Sequence, residues 1–172
     1  MQAVPSTTIG NIARLCAVRA ILLGGLAAGV LDGIDAVVFY RLYAGVAAFR
    51  IFQHIASGLL GAGAVQGGRL TVLLGVILHF TIATGAAATY YLASLRFPTL
   101  LRRPWLWGPL FGLGVFLFMQ HVVLPLSAVY PRRVGGMPLP ELADQLFSHM
   151  LLVGLSIALI AQRVARAPSP GP

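Results

Sequence analysis

Long apolar segments, separated by short connections that carry arginine, proline or glycine, run through the whole chain. A membrane-spanning helix needs about 20 mostly apolar residues, and four segments reach that length, at residues 17–42, 70–94, 105–130 and 139–162. The pattern predicts an all-α integral membrane protein built as a four-helix transmembrane bundle. Its single domain covers residues 14–166, and residues 1–13 and 167–172 are expected to be flexible.

The segment at 44–66 is apolar as well, but it has a different periodicity. Arg50, Gln53, His54 and Ser57 are spaced at i, i+3, i+4 and i+7, which places them on one face of a helix. This predicts an amphipathic helix at about 44–60 that lies in the membrane interface or enters the bilayer and returns. A fifth span is the alternative.

The composition agrees with a membrane protein, because 58% of the 172 residues are hydrophobic and only 9% are charged. All 12 basic residues are arginines, and the net charge is +8. They lie singly or in pairs near the ends of apolar segments, as topology signals and lipid anchors do, so nucleic acid is excluded as a partner and the lipid bilayer is expected. Cys16 is the only cysteine, which excludes an intrachain disulfide and a thiolate metal cluster.

The distribution of arginine also predicts the orientation. With four spans both termini lie on the same side of the membrane, and that side carries seven arginines against five on the other. Because arginine is enriched in cytoplasmic loops, the termini should be cytoplasmic. Five spans would place the termini on opposite sides.

Four ionisable residues fall deep inside the predicted spans: Asp32, His79, His121 and His149. Each lies about ten residues from the span end opposite the termini, or roughly 15 Å at 1.5 Å per residue. Their predicted depths therefore coincide near the middle of the bilayer. Ionisable groups in hydrocarbon are costly and rare, which makes this layer a candidate functional site.

Small residues indicate which helix faces pack together. In the first span the glycines repeat every four residues, at Gly25, Gly29 and Gly33. Such a face lets two helix backbones approach closely, and Asp32 lies near its centre. In the second span His79 shares a stripe with Gly75. Both ionisable side chains are therefore expected to face the interior.

Several kinds of chemistry are open to the Asp/His layer. Imidazoles with one carboxylate suit a Zn, Cu or Fe ion. Two of His79, His121 and His149 could instead bind a b-type haem, or the layer could relay protons. The structural alternative is that these groups only form interhelical hydrogen bonds, worth about 1 kcal/mol each.

The other polar residues are expected to contribute less. Asp35 could join the layer or pair with Arg41. Glu141 and Asp144 should form a solvated rim, and His54 should be solvated or cover the site from the amphipathic helix.

Short motifs in the last three spans resemble the small bacterial inner-membrane proteins of the YagU type, a family of unknown function. They are the runs LHFTIATGAAATYYL, PLFGLGVFLFMQHVVLPLS and HMLLVG, with His79 and Phe80, then Gly108, Gly112, His121 and Pro125, then His149. The resemblance covers about the C-terminal two thirds of the chain. It implies a bacterial inner-membrane location and no particular activity.

Two functions follow as hypotheses. In the first, a small multi-pass membrane protein uses its buried Asp/His layer to bind a metal or haem or to handle protons. In the second, the chain is a structural or accessory subunit whose glycine faces pack against a membrane-protein partner or another copy of itself. An enzyme is less favoured, because no nucleophile and base have a recognisable spacing.

Overall fold

The computed structural model describes residues 6–128 and 136–166, and within them 91% of the residues are helical and none is in a strand. The helices are α1 (Ser6–Ala44), α2 (Ala48–Leu60), α3 (Gly68–Arg96), the short α4 (Thr99–Arg102), α5 (Pro104–Leu126) and α6 (Leu139–Arg166). A 3₁₀ turn at Ala62–Gln66 joins α2 to α3. Two helices contain a π-helical segment, at Met119–Val123 in α5 and at Ser148–Leu155 in α6.

Four helices, α1, α3, α5 and α6, are long and apolar enough to cross a membrane. The shortest of them has 23 residues, which is about 35 Å at 1.5 Å per residue against a hydrocarbon thickness of about 30 Å. The 13 residues of α2 extend only about 20 Å, which is too short for a fifth span. The prediction of an all-α membrane bundle is confirmed.

The helix ends differ somewhat from the predicted boundaries. α1 begins at Ser6, so it includes much of the segment that was expected to be flexible. α5 ends at Leu126, before the predicted boundary at Tyr130, which lies outside the described residues. The tail predicted at 167–172 lies outside them as well.

The order of packing follows from the contacts between helices: α1 packs between α3 and α6, α5 packs against α6, and α2 packs against α3. The half of the bundle near the chain termini has an apolar core of small side chains and one large ring: Ala28, Ala83, Ala87, Tyr90, Val153, Ile157, Ala158 and Ala161. Tyr90 is fully buried and donates a hydrogen bond to the carbonyl of Leu100 at 2.9 Å. This half is closely packed and contains few polar groups.

Glycines allow the closest approaches between helices. At the α5–α6 crossing, a Cβ on Gly112 would collide with the carbonyl of His149 and the Cα of Met150. Gly154 meets the backbone of Gly108 and Gly112 in the same way. The two helix backbones are therefore in direct contact, which only glycine permits.

The glycines of the predicted contact faces are also used within the chain. Gly25 lies against Thr84, Gly29 against Phe80 and Gly33 against the His79 ring, all on α3. Gly75 of α3 lies against the backbone of Phe52 in α2. The three glycines of α1 therefore allow α1 to pack closely on α3, and Gly75 allows α2 to pack closely on α3.

Candidate functional site

Three helices meet at the carboxylate of Asp32 in α1. Ser148 of α6, which is 1% exposed, donates a hydrogen bond from Oγ to Asp32 Oδ1 at 2.6 Å. The other carboxylate oxygen, Oδ2, lies 4.0 Å from Nδ1 of His79 in α3. The side chains of His79 and Asp32 are only 12% and 24% exposed. The structure thus places an Asp–His pair at the junction of α1, α3 and α6.

The hydrogen bond of His79 to the backbone fixes the tautomer of its neutral ring. Nε2 lies 2.8 Å from the carbonyl oxygen of Gly29, and because a carbonyl only accepts, Nε2 must carry the hydrogen. In a neutral ring the lone pair of Nδ1 then faces the Asp32 carboxylate, and two acceptors repel each other. A proton on Nδ1 or on Asp32 Oδ2 removes the repulsion. The pair is therefore suited to hold one proton and to exchange it.

Two further carboxylates lie beside this pair. Asp35 follows Asp32 by about one helical turn on α1 and is close enough to interact with the Asp32 charge. Asp144, one turn before Ser148 on α6, is close enough to interact with the charges of Asp35, Asp32 and Glu141. Its Oδ2 atom is buried and has no hydrogen-bond partner among the described residues. α1 and α6 thus bring their acidic side chains to a common seam.

Glu141 and Tyr40 extend the seam to the helix ends. Tyr40 donates a hydrogen bond to Glu141 Oε1 at 2.8 Å, and Glu141 is only 6% exposed. We call the whole column the acidic ladder, and its members are Tyr40, Glu141, Asp144, Asp35, Ser148, Asp32 and His79. From Tyr40 to Asp32 it extends about 12 Å along α1, at 1.5 Å per residue. It contains all four acidic side chains of the sequence.

The acidic ladder runs from one end of the bundle toward its middle. Its outer members lie at the end of α1 and the beginning of α6, on the side of the bundle opposite the termini. Beyond Asp32 and His79 the described residues form the apolar core, beginning with Ala28 and Ala83. The ladder therefore enters the protein from one side and ends near its middle.

Of the four residues predicted to form one layer, the structure brings together Asp32 and His79. His149 hydrogen-bonds through Nδ1 to the carbonyl of Gln145 in its own helix at 2.9 Å, and its ring packs against Phe116 of α5 at 5.7 Å. His121 is exposed on α5. It follows Gly112 by nine residues, or about two and a half helical turns, so the two residues point in opposite directions. Because Gly112 packs on α6, His121 points outward.

The described residues do not gather the ligands of the expected metal ion. Among residues 6–128 and 136–166, no group of three or more His, Cys, Asp or Glu side chains could hold a metal ion. Two surface grooves of about 510 and 460 Å³ are found, and histidine lines neither of them. A haem could not lie against Gly75 of the His79 stripe, because the backbone of Phe52 packs directly on this glycine. His79 contacts α1, His149 lies beside Phe116 of α5 and His121 is exposed, so the three imidazoles have separate surroundings.

The expectations for the outer polar residues need correction. Glu141 is buried, so the prediction of a solvated rim is wrong for it. Asp35 was expected either to join the layer or to pair with Arg41, and it lies close enough to Asp32 for their charges to interact. The signal was present: Glu141, Asp144 and Ser148 are spaced by three and four residues, which is one helix face. The sequence could not reveal that this face packs against Asp32 and Asp35 of α1.

The amphipathic helix α2 is oriented differently from the prediction as well. Gln53 and Ser57 of the polar stripe are buried, and Gln53 donates a hydrogen bond to the carbonyl of Gly68 at 3.2 Å. His54 is exposed, which agrees with the prediction that it is solvated and not with a buried position over the site. Part of the polar stripe therefore faces the beginning of α3, where the Gly68 carbonyl also accepts a hydrogen bond from the Thr71 hydroxyl at 3.1 Å.

The hydrogen bond between Ser148 and Asp32 allows a direct test of the site's geometry. Changing Ser148→Ala removes the donor and leaves a half-buried carboxylate oxygen without it, which should lower the free energy of unfolding by about 2 kcal/mol. Ser156→Ala is the matched control, because that hydroxyl bonds only to carbonyls of its own helix, those of Leu152 and Val153. Unfolding in mixed micelles measures both, and equal losses would contradict the assigned contact.

No family model, curated protein or solved structure matches this chain. The function is therefore inferred from the site itself.

Proposed function

We propose that this protein is a proton-translocating membrane protein in which the acidic ladder is the entrance half of the pathway. Protons bind at the Tyr40–Glu141 end, pass to the carboxylates of Asp144 and Asp35, and reach Asp32 and His79 near the middle of the bilayer. The two ends of the described path are thus an outer carboxylate and an inner Asp–His pair.

One observation carries the proposal: the four acidic side chains of the sequence lie along the seam between α1 and α6, together with a serine, a tyrosine and a histidine. Carboxylates packed along apolar helices are costly, and such groups therefore indicate a functional site. Two of them would suffice to join α1 with α6. Carboxyl and imidazole groups exchange protons readily. Neighbouring groups on one helix are about 5 Å apart, so the column is suited to pass a proton inward where water molecules bridge them.

The inner end of the ladder supports protons over other cargo. His79 directs its N–H group to Gly29 and its second nitrogen toward Asp32, so a single proton between Nδ1 and Oδ2 completes the pair. A metal ion would need further ligands, and the described residues provide no group for one. Beyond this pair the apolar core separates the ladder from the opposite side, so release of the proton there requires a rearrangement of α1, α3 or α6.

The proposal includes a location and an orientation. We place the protein in the bacterial inner membrane with cytoplasmic termini, on the resemblance of its motifs and on the seven arginines of the terminal side against five on the other. The ladder then opens to the cell exterior. Protons would enter in the direction in which the gradient across a bacterial membrane drives them.

An accessory role through the glycine faces has less support. Gly25, Gly29 and Gly33 face α3 of the same chain, and Gly75 faces α2. These faces are thus occupied by the chain itself, and a partner would need another surface.

The experiment is proton flux into liposomes that contain the purified protein, a trapped pH-sensitive dye and valinomycin to balance charge. The native protein should acidify the interior faster than protein-free vesicles do. His79→Gln should slow the flux, because glutamine can still donate to the Gly29 carbonyl but cannot hold the exchangeable proton. His121→Gln is the matched control and should leave the flux unchanged, since His121 is exposed outside the ladder. A native rate equal to that of empty vesicles would refute the proposal.

A further inference from the structure

A second feature lies on the outer surface of the bundle, along the seam between α1 and α6. It is a groove of about 460 Å³, lined by Leu23, Leu26, Ala27 and Val30 of α1 and by Ile160, Arg163 and Val164 of α6. Every lining side chain except Arg163 is apolar. Leu23 and Leu26 are 46% and 54% exposed, so the groove is open toward the surrounding lipid.

Positive charge is concentrated at one end of this groove. Arg163 lines it directly, and Arg19, which is exposed, precedes Leu23 by four residues and so lies on the same face of α1. Gly24 of α1 packs on Ile157 of α6 in an antiparallel arrangement. Both arginines are therefore at the end of the bundle that carries the termini.

No acidic side chain balances these charges. The four acidic residues of the sequence all belong to the ladder, which extends from Asp32 toward the other end of the bundle. The groove thus combines an apolar wall with an uncompensated cationic end, which fits a molecule with an apolar tail and an anionic head.

The dimensions agree with one leaflet of a bilayer. Arg19 and Val30 are eleven residues apart on α1, which is about 16 Å at 1.5 Å per residue, and half of the hydrocarbon thickness is about 15 Å. An acyl chain lying in the groove would place its phosphate beside the two arginines. We propose that this groove is a binding site for an anionic phospholipid, with the phosphate held by Arg19 and Arg163.

The test is native mass spectrometry of the protein released from vesicles of equal parts phosphatidylglycerol and phosphatidylcholine. The native chain should retain one phosphatidylglycerol in preference to phosphatidylcholine. Arg19→Gln combined with Arg163→Gln should weaken retention by about 30-fold, since each arginine near the surface contributes about fivefold. Arg41→Gln combined with Arg69→Gln is the matched control, which removes the same charge from two exposed arginines at the other end of the bundle and should retain the lipid.

A measurement on the unaltered protein complements these variants. Phosphatidylglycerol with a photoreactive acyl chain should crosslink to the peptides that contain residues 23–30 and 160–164, and Ala27→Phe, which fills the groove but keeps both arginines, should remove those crosslinks. Equal retention of both lipids, or crosslinks only at other segments, would overturn the proposal. So would unchanged retention in the Arg19 and Arg163 variant, or retention of a second copy of the chain in place of lipid.

Discussion

Proton flux through the reconstituted protein is expected to fall by about 100-fold when Asp32 is changed to Asn, the size of losing one positioned proton-transfer group. Asp32 is the inner end of the acidic ladder, where α1, α3 and α6 meet. Asparagine has nearly the same shape, and its amide oxygen can still accept the hydrogen bond from Ser148. It cannot take up a proton, however, so the step between the ladder and His79 is lost.

Two comparisons make the Asp32 result specific. Asp32→Glu restores a carboxyl group and should recover part of the flux, whereas a packing defect would be made worse by the longer side chain. Infrared spectra on acidification should also lose one protonated carboxyl band in the Asn variant, and the sequence has only four acidic side chains to assign. Native flux in Asp32→Asn, with its helical content intact, would exclude Asp32 from the pathway.

The largest loss of stability is expected from Gly112→Leu at the α5–α6 crossing. Even a Cβ at this position would collide with the carbonyl of His149 and the Cα of Met150. These are backbone atoms, so no change of side-chain rotamer can relieve the contact, and the helices must separate. We expect the free energy of unfolding to fall by about 3 kcal/mol or more, at the upper end for overpacked sites.

Gly114→Leu is the matched control for this prediction. Gly114 is in the same helix only two residues away, and a Cβ there would have no heavy atom within 4 Å. The two variants have the same composition and the same gain in hydrophobicity, so they differ only in what the new side chain contacts. Unfolding in mixed micelles should separate them clearly. If they are equally stable, α5 and α6 are not packed through Gly112.

The spans were predictable because the bilayer acts on each helix separately. A segment must supply about 20 apolar residues whatever its neighbours are, and hydropathy alone found the four spans later seen as α1, α3, α5 and α6. The inward direction of Asp32 was predictable for a related reason. The small residues of α1 favour one contact face, and Asp32 lies on that face in the sequence.

The site itself was only half predictable. Sequence reasoning placed His79, His121 and His149 with Asp32 on the basis of depth, but depth does not define the direction around a helix axis. The packing of α5 on α6 through Gly108 and Gly112 turns His121 outward, and His149 bonds within its own helix. Shared depth is therefore necessary for a common site but not sufficient.

The sequence by itself determined that this is a four-span helical membrane protein with costly ionisable groups inside its spans, because both properties are local to each segment. The tertiary structure decided which of those groups meet. The antiparallel packing of α1 against α6 brings Asp32 and Asp35 to the seam that holds Asp144 and Glu141. The hydrogen bonds across this seam, Tyr40 to Glu141 and Ser148 to Asp32, join residues 101 and 116 positions apart. Such a pairing depends on the fit between two helix faces, and that fit exists only once the helices have packed.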